Sequence, residues 1–268
     1  MKRLCRISAI LLRQFYLIRG SPARLLPLFV WAAVDIVLWG FITRYLQTVA
    51  PSGSNFVPVL LGAVLFWDFF TRVMFGVATT FLEDVWSRNF LNLFATPLSI
   101  YEYLSGLVLS SIATSTVGLL VMLALAMAAF GLSFAVYGLA LIPFVLVLFL
   151  FGIAMGVLAV AFVLHYGPAA EWFVWPLPAV LSPFAAVFYP LSILPGWMQH
   201  VSHFLPPSHV FEAMRTILAG GPVSWTGLIW SILLSVLYIL LAGWFFARIY
   251  HRAIRTGLIA RYSAETAG

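Results

Sequence analysis

Residues 136–164 run without a single charged side chain, through Leu, Val, Phe, Ala and Gly. A helix needs about 20 apolar residues to cross the hydrocarbon core of a bilayer. In lipid a backbone must satisfy its own hydrogen bonds, which a run of this length does as a helix. Long, predominantly apolar runs recur at residues 25–46, 56–81, 103–130 and 226–250. A further one, residues 172–189, is short and broken by Pro176, Pro178 and Pro183, as expected of a kinked or partly inserted segment. The fold class is therefore all-α and polytopic, with about six transmembrane helices. Charged residues make up only 8% of the 268, against roughly 25% in soluble domains, which leaves no sequence for a sizeable soluble domain.

The few charges sit at the ends. Lys2, Arg3, Arg6, Arg13, Arg19 and Arg24 precede the first span, and Arg248, Arg252, Arg255 and Arg261 follow the last. In a soluble chain such clusters would suggest nucleic acid. Flanking apolar spans, they report orientation and contact with anionic lipid headgroups, and no nucleic-acid partner is expected. Residues 1–24 carry Leu4, Ile7, Leu11, Phe15 and Ile18 on one helical face and Arg3, Arg6 and Arg13 on another. That pattern predicts an amphipathic helix at the cytoplasmic membrane surface rather than a signal peptide. Three regions result: this helix at 1–24, a transmembrane domain at 25–250, and a basic cytoplasmic tail at 251–268. With both termini inside, eleven of the fourteen Lys and Arg residues lie on the cytoplasmic side, as the positive-inside rule requires.

One segment between spans is unlike its surroundings. Residues 83–99 hold Glu83, Asp84 and Arg88, then an amphipathic run in which Phe90, Leu93, Phe94 and Pro97 share a helical face. Such a face is costly in water and calls for lipid or a partner protein. The ending Ala95-Thr96-Pro97-Leu98-Ser99, followed by Tyr101-Glu102 and a new span, resembles the loop after the second span of ATP-binding-cassette type-2 export permeases. A second stretch is similar to the region before the last span of that family. It runs Tyr189-Pro190-Leu191-Ser192-Ile193-Leu194-Pro195-Gly196-Trp197-Met198, then Leu205-Pro206-Pro207-Ser208-His209 and Glu212-Ala213-Met214-Arg215.

The resemblance implies a permease subunit of an ATP-driven exporter in the bacterial inner membrane, working as a homodimer with two copies of a separate ATPase. It implies that residues 83–99 dock on that ATPase through Glu83, Asp84, Arg88, Phe90, Leu93, Phe94 and Pro97. It further implies an extracellular re-entrant segment at 190–221, with Trp197 and Phe204 as apolar anchors and Arg215 near the headgroups. The chain has no phosphate loop of its own, because its only Lys is Lys2. ATP and Mg would thus be bound by the partner, with no cofactor in this chain. The cargo classes open to such a permease are polysaccharides, lipid-linked molecules and amphipathic small molecules.

Within the spans, Asp68 and Arg72 stand four residues apart and can pair on one face, while Asp35 has no partner within helical reach. All three are candidates for the transport pathway, since intramembrane charges mark function by default. Gly152 and Gly156 form a small-residue pair suited to close helix packing. His200, His203, His209 and Glu212 have partial metal-ligand spacing, but Pro206-Pro207 interrupts it, and no metal is expected. The single Cys5 excludes an internal disulfide. The alternatives are a heteromeric permease partner or a polytopic membrane enzyme acting on lipid. No nucleophile–base or paired-carboxylate constellation supports an enzyme.

Overall fold

The computed structural model describes residues 2–49, 57–87, 92–93 and 95–256. Every regular element among them is helical. Helix α1 (Lys2–Arg19) leads into α2 (Pro22–Val49). A π-helical turn, Val57–Leu61, opens α3 (Gly62–Trp86), and α4 (Ile100–Phe130) follows. A 3₁₀ stretch, Phe134–Ala140, precedes α5 (Leu141–Tyr166). Two short helices come next, α6 (Glu171–Val174) and α7 (Leu177–Phe184), then α8 (Gly196–His203), α9 (Pro206–Leu218) and α10 (Trp225–Arg255). Five stretches, built on α2, α3, α4, α5 and α10, are long and apolar enough to cross a membrane. The sixth apolar segment of the sequence is the broken pair α6–α7. Pro176, Pro178 and Pro183 lack the N–H groups that a continuous helix would need there.

Helix α5 is the centre. Of its most apolar stretch 72% is buried, against 20% for α2, which therefore lies at the rim. Its main partners are α3 and α10. The α3–α5 contact is made by the small pair seen in the sequence. A Cβ on Gly152 would lie 2.8 Å from Val73 Cβ, and one on Gly156 would lie 2.8 Å from the Met74 carbonyl oxygen. Glycine thus lets two backbones approach where lipid supplies no hydrophobic drive to pack them. Phe70 stacks on Phe151 across the same seam, with ring centroids 5.4 Å apart. Helix α4 joins α3 similarly: Gly76 makes room for Ser111, whose hydroxyl donates to the Val73 carbonyl at 2.8 Å.

Helix α1 is turned differently from the expectation of a helix merely resting on the bilayer. Its Arg6–Ile10–Arg13 face points into the protein. Ile10 is buried and seats on Gly106 of α4. Leu4, Leu12 and Phe15 remain exposed. Two arginines thus face carboxylates of the bundle rather than headgroups. The attraction of opposite charges in a half-buried setting decides the orientation.

Candidate functional site

The turn between α3 and α4 is fixed from behind. Asp84, in the last turn of α3, is only 1% exposed. Both its carboxylate oxygens are taken by Arg13: Nη1 donates to Oδ2 at 3.0 Å and Nη2 donates to Oδ1. The Tyr103 hydroxyl of α4 adds a third bond to Oδ2 at 2.7 Å. The Asp84 hydrogen bond raises the Arg13 pKa above its already high ordinary value, outweighing burial, so the guanidinium stays charged. Glu83 pairs with Arg24 at 3.4 Å. The start of α4 is closed by a capping box. Ser99 Oγ accepts from the Glu102 N–H at 3.2 Å, and Glu102 Oε2 accepts from the Ser99 N–H at 2.9 Å. Glu102 also pairs with Arg6 at 3.3 Å. On the far side of α3, Trp86 Nε1 donates to Glu171 of α6 at 2.8 Å.

This geometry revises part of the docking face expected from the sequence. Asp84 is engaged by α1 and almost inaccessible, whereas Glu83, paired with Arg24 at the start of α2, stays 33% exposed. Leu93 packs against the bundle core, while Asn92, Ala95, Thr96 and Pro97 are exposed. Arg88, Phe90 and Phe94 lie outside the described residues. The capping box was readable as Ser-x-x-Glu before an apolar run. The Arg13–Asp84–Tyr103 cluster had no local signal.

The second group of charges lies between three helices. A half-open cavity of about 530 Å³ lies between α2, α3 and α4, with Trp175 of the α6–α7 break on its wall. Asp35, Asp68 and Arg72 all line it, so the structure brings together the three intramembrane charges singled out from the sequence. Arg72 Nε donates to Asp68 Oδ2 at 2.8 Å, the pairing expected from their spacing. Trp31, Phe75 and Trp175 add aromatic walls, with Trp175 5.1 Å from Phe75 between ring centroids. Neither tryptophan was singled out from the sequence, because no spacing rule links α2 to the α6–α7 break.

At the opposite end of the bundle, α8 and α9 form the short helices expected of residues 190–221. Trp197 and Phe204 are exposed, each 63%, as suits apolar anchors. Arg215 is engaged within the protein. Its Nη2 donates to the Ala186 carbonyl at 2.7 Å and to Glu212 at 3.1 Å, and its Nη1 to the Val187 carbonyl at 3.3 Å. Ala186 has φ +52°, a left-handed conformation that a non-glycine residue adopts only when its surroundings hold it. The buried guanidinium clamps that turn, and burial lowers its pKa against the opposing pull of Glu212. Glu212 also accepts from the Leu191 N–H at 2.6 Å. The Nε2–H of His209 donates to the His203 carbonyl at 3.0 Å. His209 thus ties α9 to α8, and Glu212 ties α9 to the stretch before α8.

A family model described as ABC-2 family transporter protein matches residues 40–248, most of the chain. Among individual proteins, Nodulation protein J of Rhizobium meliloti (strain 1021) is 33% identical over 82 residues. That match covers 30% of this chain and 31% of the relative. The span pattern, the broken segment before the last span and the extent of the family match agree. The chain belongs to the ABC-2 transporter family and is a multi-pass membrane protein.

Proposed function

We propose that this permease exports its cargo from the cytoplasm as a homodimer, driven by two copies of a separate ATPase that dock on the turn between α3 and α4. One observation carries the reading. Both helices flanking that turn are clamped at the same end, α3 through Asp84 on Arg13 and α4 through its capping box and Glu102 on Arg6. A push on the turn therefore moves α1, α3 and α4 together, a rigid-body displacement of packed helices. ATP and Mg are held by the partner. The α1 end is cytoplasmic, in keeping with the positive-inside rule, and the α8–α9 end is outside. The membrane is the bacterial inner membrane.

The cargo class stays broad on this reading: polysaccharide, lipid-linked or amphipathic. An apolar groove of about 730 Å³ between α5 and the α6–α7 break, lined by Phe162, Phe173 and Leu177 among others, gives an acyl chain a surface beside the bundle.

Two measurements test the proposal. The purified chain alone should hydrolyse no ATP, and hydrolysis should appear on adding its ATPase. In a Cys5-free background, single cysteines at the exposed positions Ser99 and Ser192 should react with an impermeant reagent from opposite sides of the membrane. Robust hydrolysis by the lone chain, or labelling of both positions from outside, contradicts the reading.

A further inference from the structure

The cavity between α2, α3 and α4 carries two carboxylates and one guanidinium. The guanidinium is bonded to Asp68. Asp35 makes no hydrogen bond or ion pair among the described residues, although it lies within electrostatic reach of both Asp68 and Arg72. One carboxylate is thus left without a bonded partner at membrane depth, where an unpaired charge is costly. The rest of the wall sorts the possible ligands. Thr71, Thr79 and Thr114 donate their hydroxyl protons to carbonyls of their own helices, at 3.0 Å to Trp67, 2.6 Å to Phe75 and 3.0 Å to Ser110. Their oxygens face the cavity with acceptor capacity. With two carboxylates against one guanidinium, and three threonine acceptors beside the single Ser115 hydroxyl, the wall suits a ligand that brings donors and positive charge. Trp31, Phe75 and Trp175 add ring faces, and tryptophan is the strongest cation–π partner. A volume of about 530 Å³ accommodates a drug-sized group rather than a bare ion.

We propose that this cavity binds an organic cation, an ammonium group on an apolar body, with Asp35 as its counter-ion and Trp31 and Trp175 as its aromatic walls. The assignment of this ligand as cargo rests on the permease reading above; the binding itself does not. Asp35 is free to meet the ammonium, whereas Asp68 keeps Arg72 in place.

The test uses the full chain in nanodiscs of neutral phosphatidylcholine, so that anionic lipid does not recruit the amine. The probe is dansylcadaverine, a fluorescent primary amine, compared with its N-acetyl derivative and with a dansyl glycoside. The amine should bind at least about tenfold more tightly than either neutral probe, the scale of a charge-assisted hydrogen bond. Asp35→Asn should abolish that preference and Asp35→Glu should retain it. Equal binding of the amine and the N-acetyl derivative overturns the proposal on the unmutated chain, whatever the variants do. Unchanged preference in Asp35→Asn also overturns it. The cargo assignment is read separately, after reconstitution with the ATPase. Asp35-dependent binding without ATP-driven movement of the amine leaves the site standing and removes its role in export.

Discussion

Two groups of charge in this molecule use the same residue types to opposite effect. At the α1 end, Arg13, Asp84 and Tyr103 form a closed set in which both carboxylate oxygens are bonded and Asp84 is almost inaccessible. Between α2, α3 and α4, Arg72 satisfies Asp68 while Asp35 stands beside the pair without a bond of its own among the described residues. The first arrangement stabilises a contact between three helices. The second leaves a charge available to something that comes and goes. A charge in a membrane protein is informative about function chiefly when its neighbours fail to neutralise it.

Substitutions separate the two groups by stability. The largest loss is expected from Asp84→Asn, which leaves Arg13 partly buried without its anion. Breaking such a pair typically costs several kcal/mol, and with Arg13 partly exposed we expect about 3 kcal/mol. Thermal unfolding in detergent should show it, and replacing both partners together, Arg13→Met with Asp84→Leu, should recover most of the loss. If the single variant melts like the parent, the closed set is not structural.

Arg215→Met is next. It removes the bonds to Ala186, Val187 and Glu212 and should cost about 2 kcal/mol, since hydrogen bonds to charged groups are the stronger ones. It should also loosen the α7–α8 connection, read as faster proteolysis near Ala186. Unchanged cleavage there would show that the turn holds itself.

Acidification should loosen the α8–α9 end. Burial lowers the His209 pKa below its ordinary 6.5, so the unfolded chain binds the proton more readily than the folded one. The stability this gives is present above about pH 6.5 and is lost as pH falls below it. Arg13 titrates far above this range. Corrected for the intrinsic pH dependence of amide exchange, protection in α8–α9 should therefore fall between pH 7 and pH 5, and a His209→Gln variant should lose that change.

The smallest stability loss belongs to Asp35→Asn, which breaks no bond and should melt no lower than the parent. A destabilisation comparable to that of Asp84→Asn would place Asp35 in the structural class.

Much of this architecture was legible in the sequence because lipid imposes simple rules. Apolar length identified the five long helices, prolines identified the broken segment, and the four-residue spacing identified the Asp68–Arg72 pair. The rest depended on contacts between distant residues. Arg13 and Asp84 are 71 positions apart, and no periodicity shows that the basic face of α1 turns inward. Arg215 was legible as the end of a motif, but its carbonyl partners arise from a turn whose conformation no residue type announces. Trp175 reaches the cavity only because the α6–α7 break brings it there.

The central claim, that a separate ATPase drives this permease through the turn between α3 and α4, meets its most direct test in co-purification. The ATPase should be recovered with the unmutated chain. Phe90→Ala or Phe94→Ala should each weaken that recovery at unchanged expression. Loss of one buried aromatic anchor costs about 2 kcal/mol at an interface, roughly thirtyfold in affinity. Asp35→Asn should recover the ATPase in full. Recovery and hydrolysis at the unmutated level with every substitution across residues 90–97 would contradict the claim and leave the turn a simple connection.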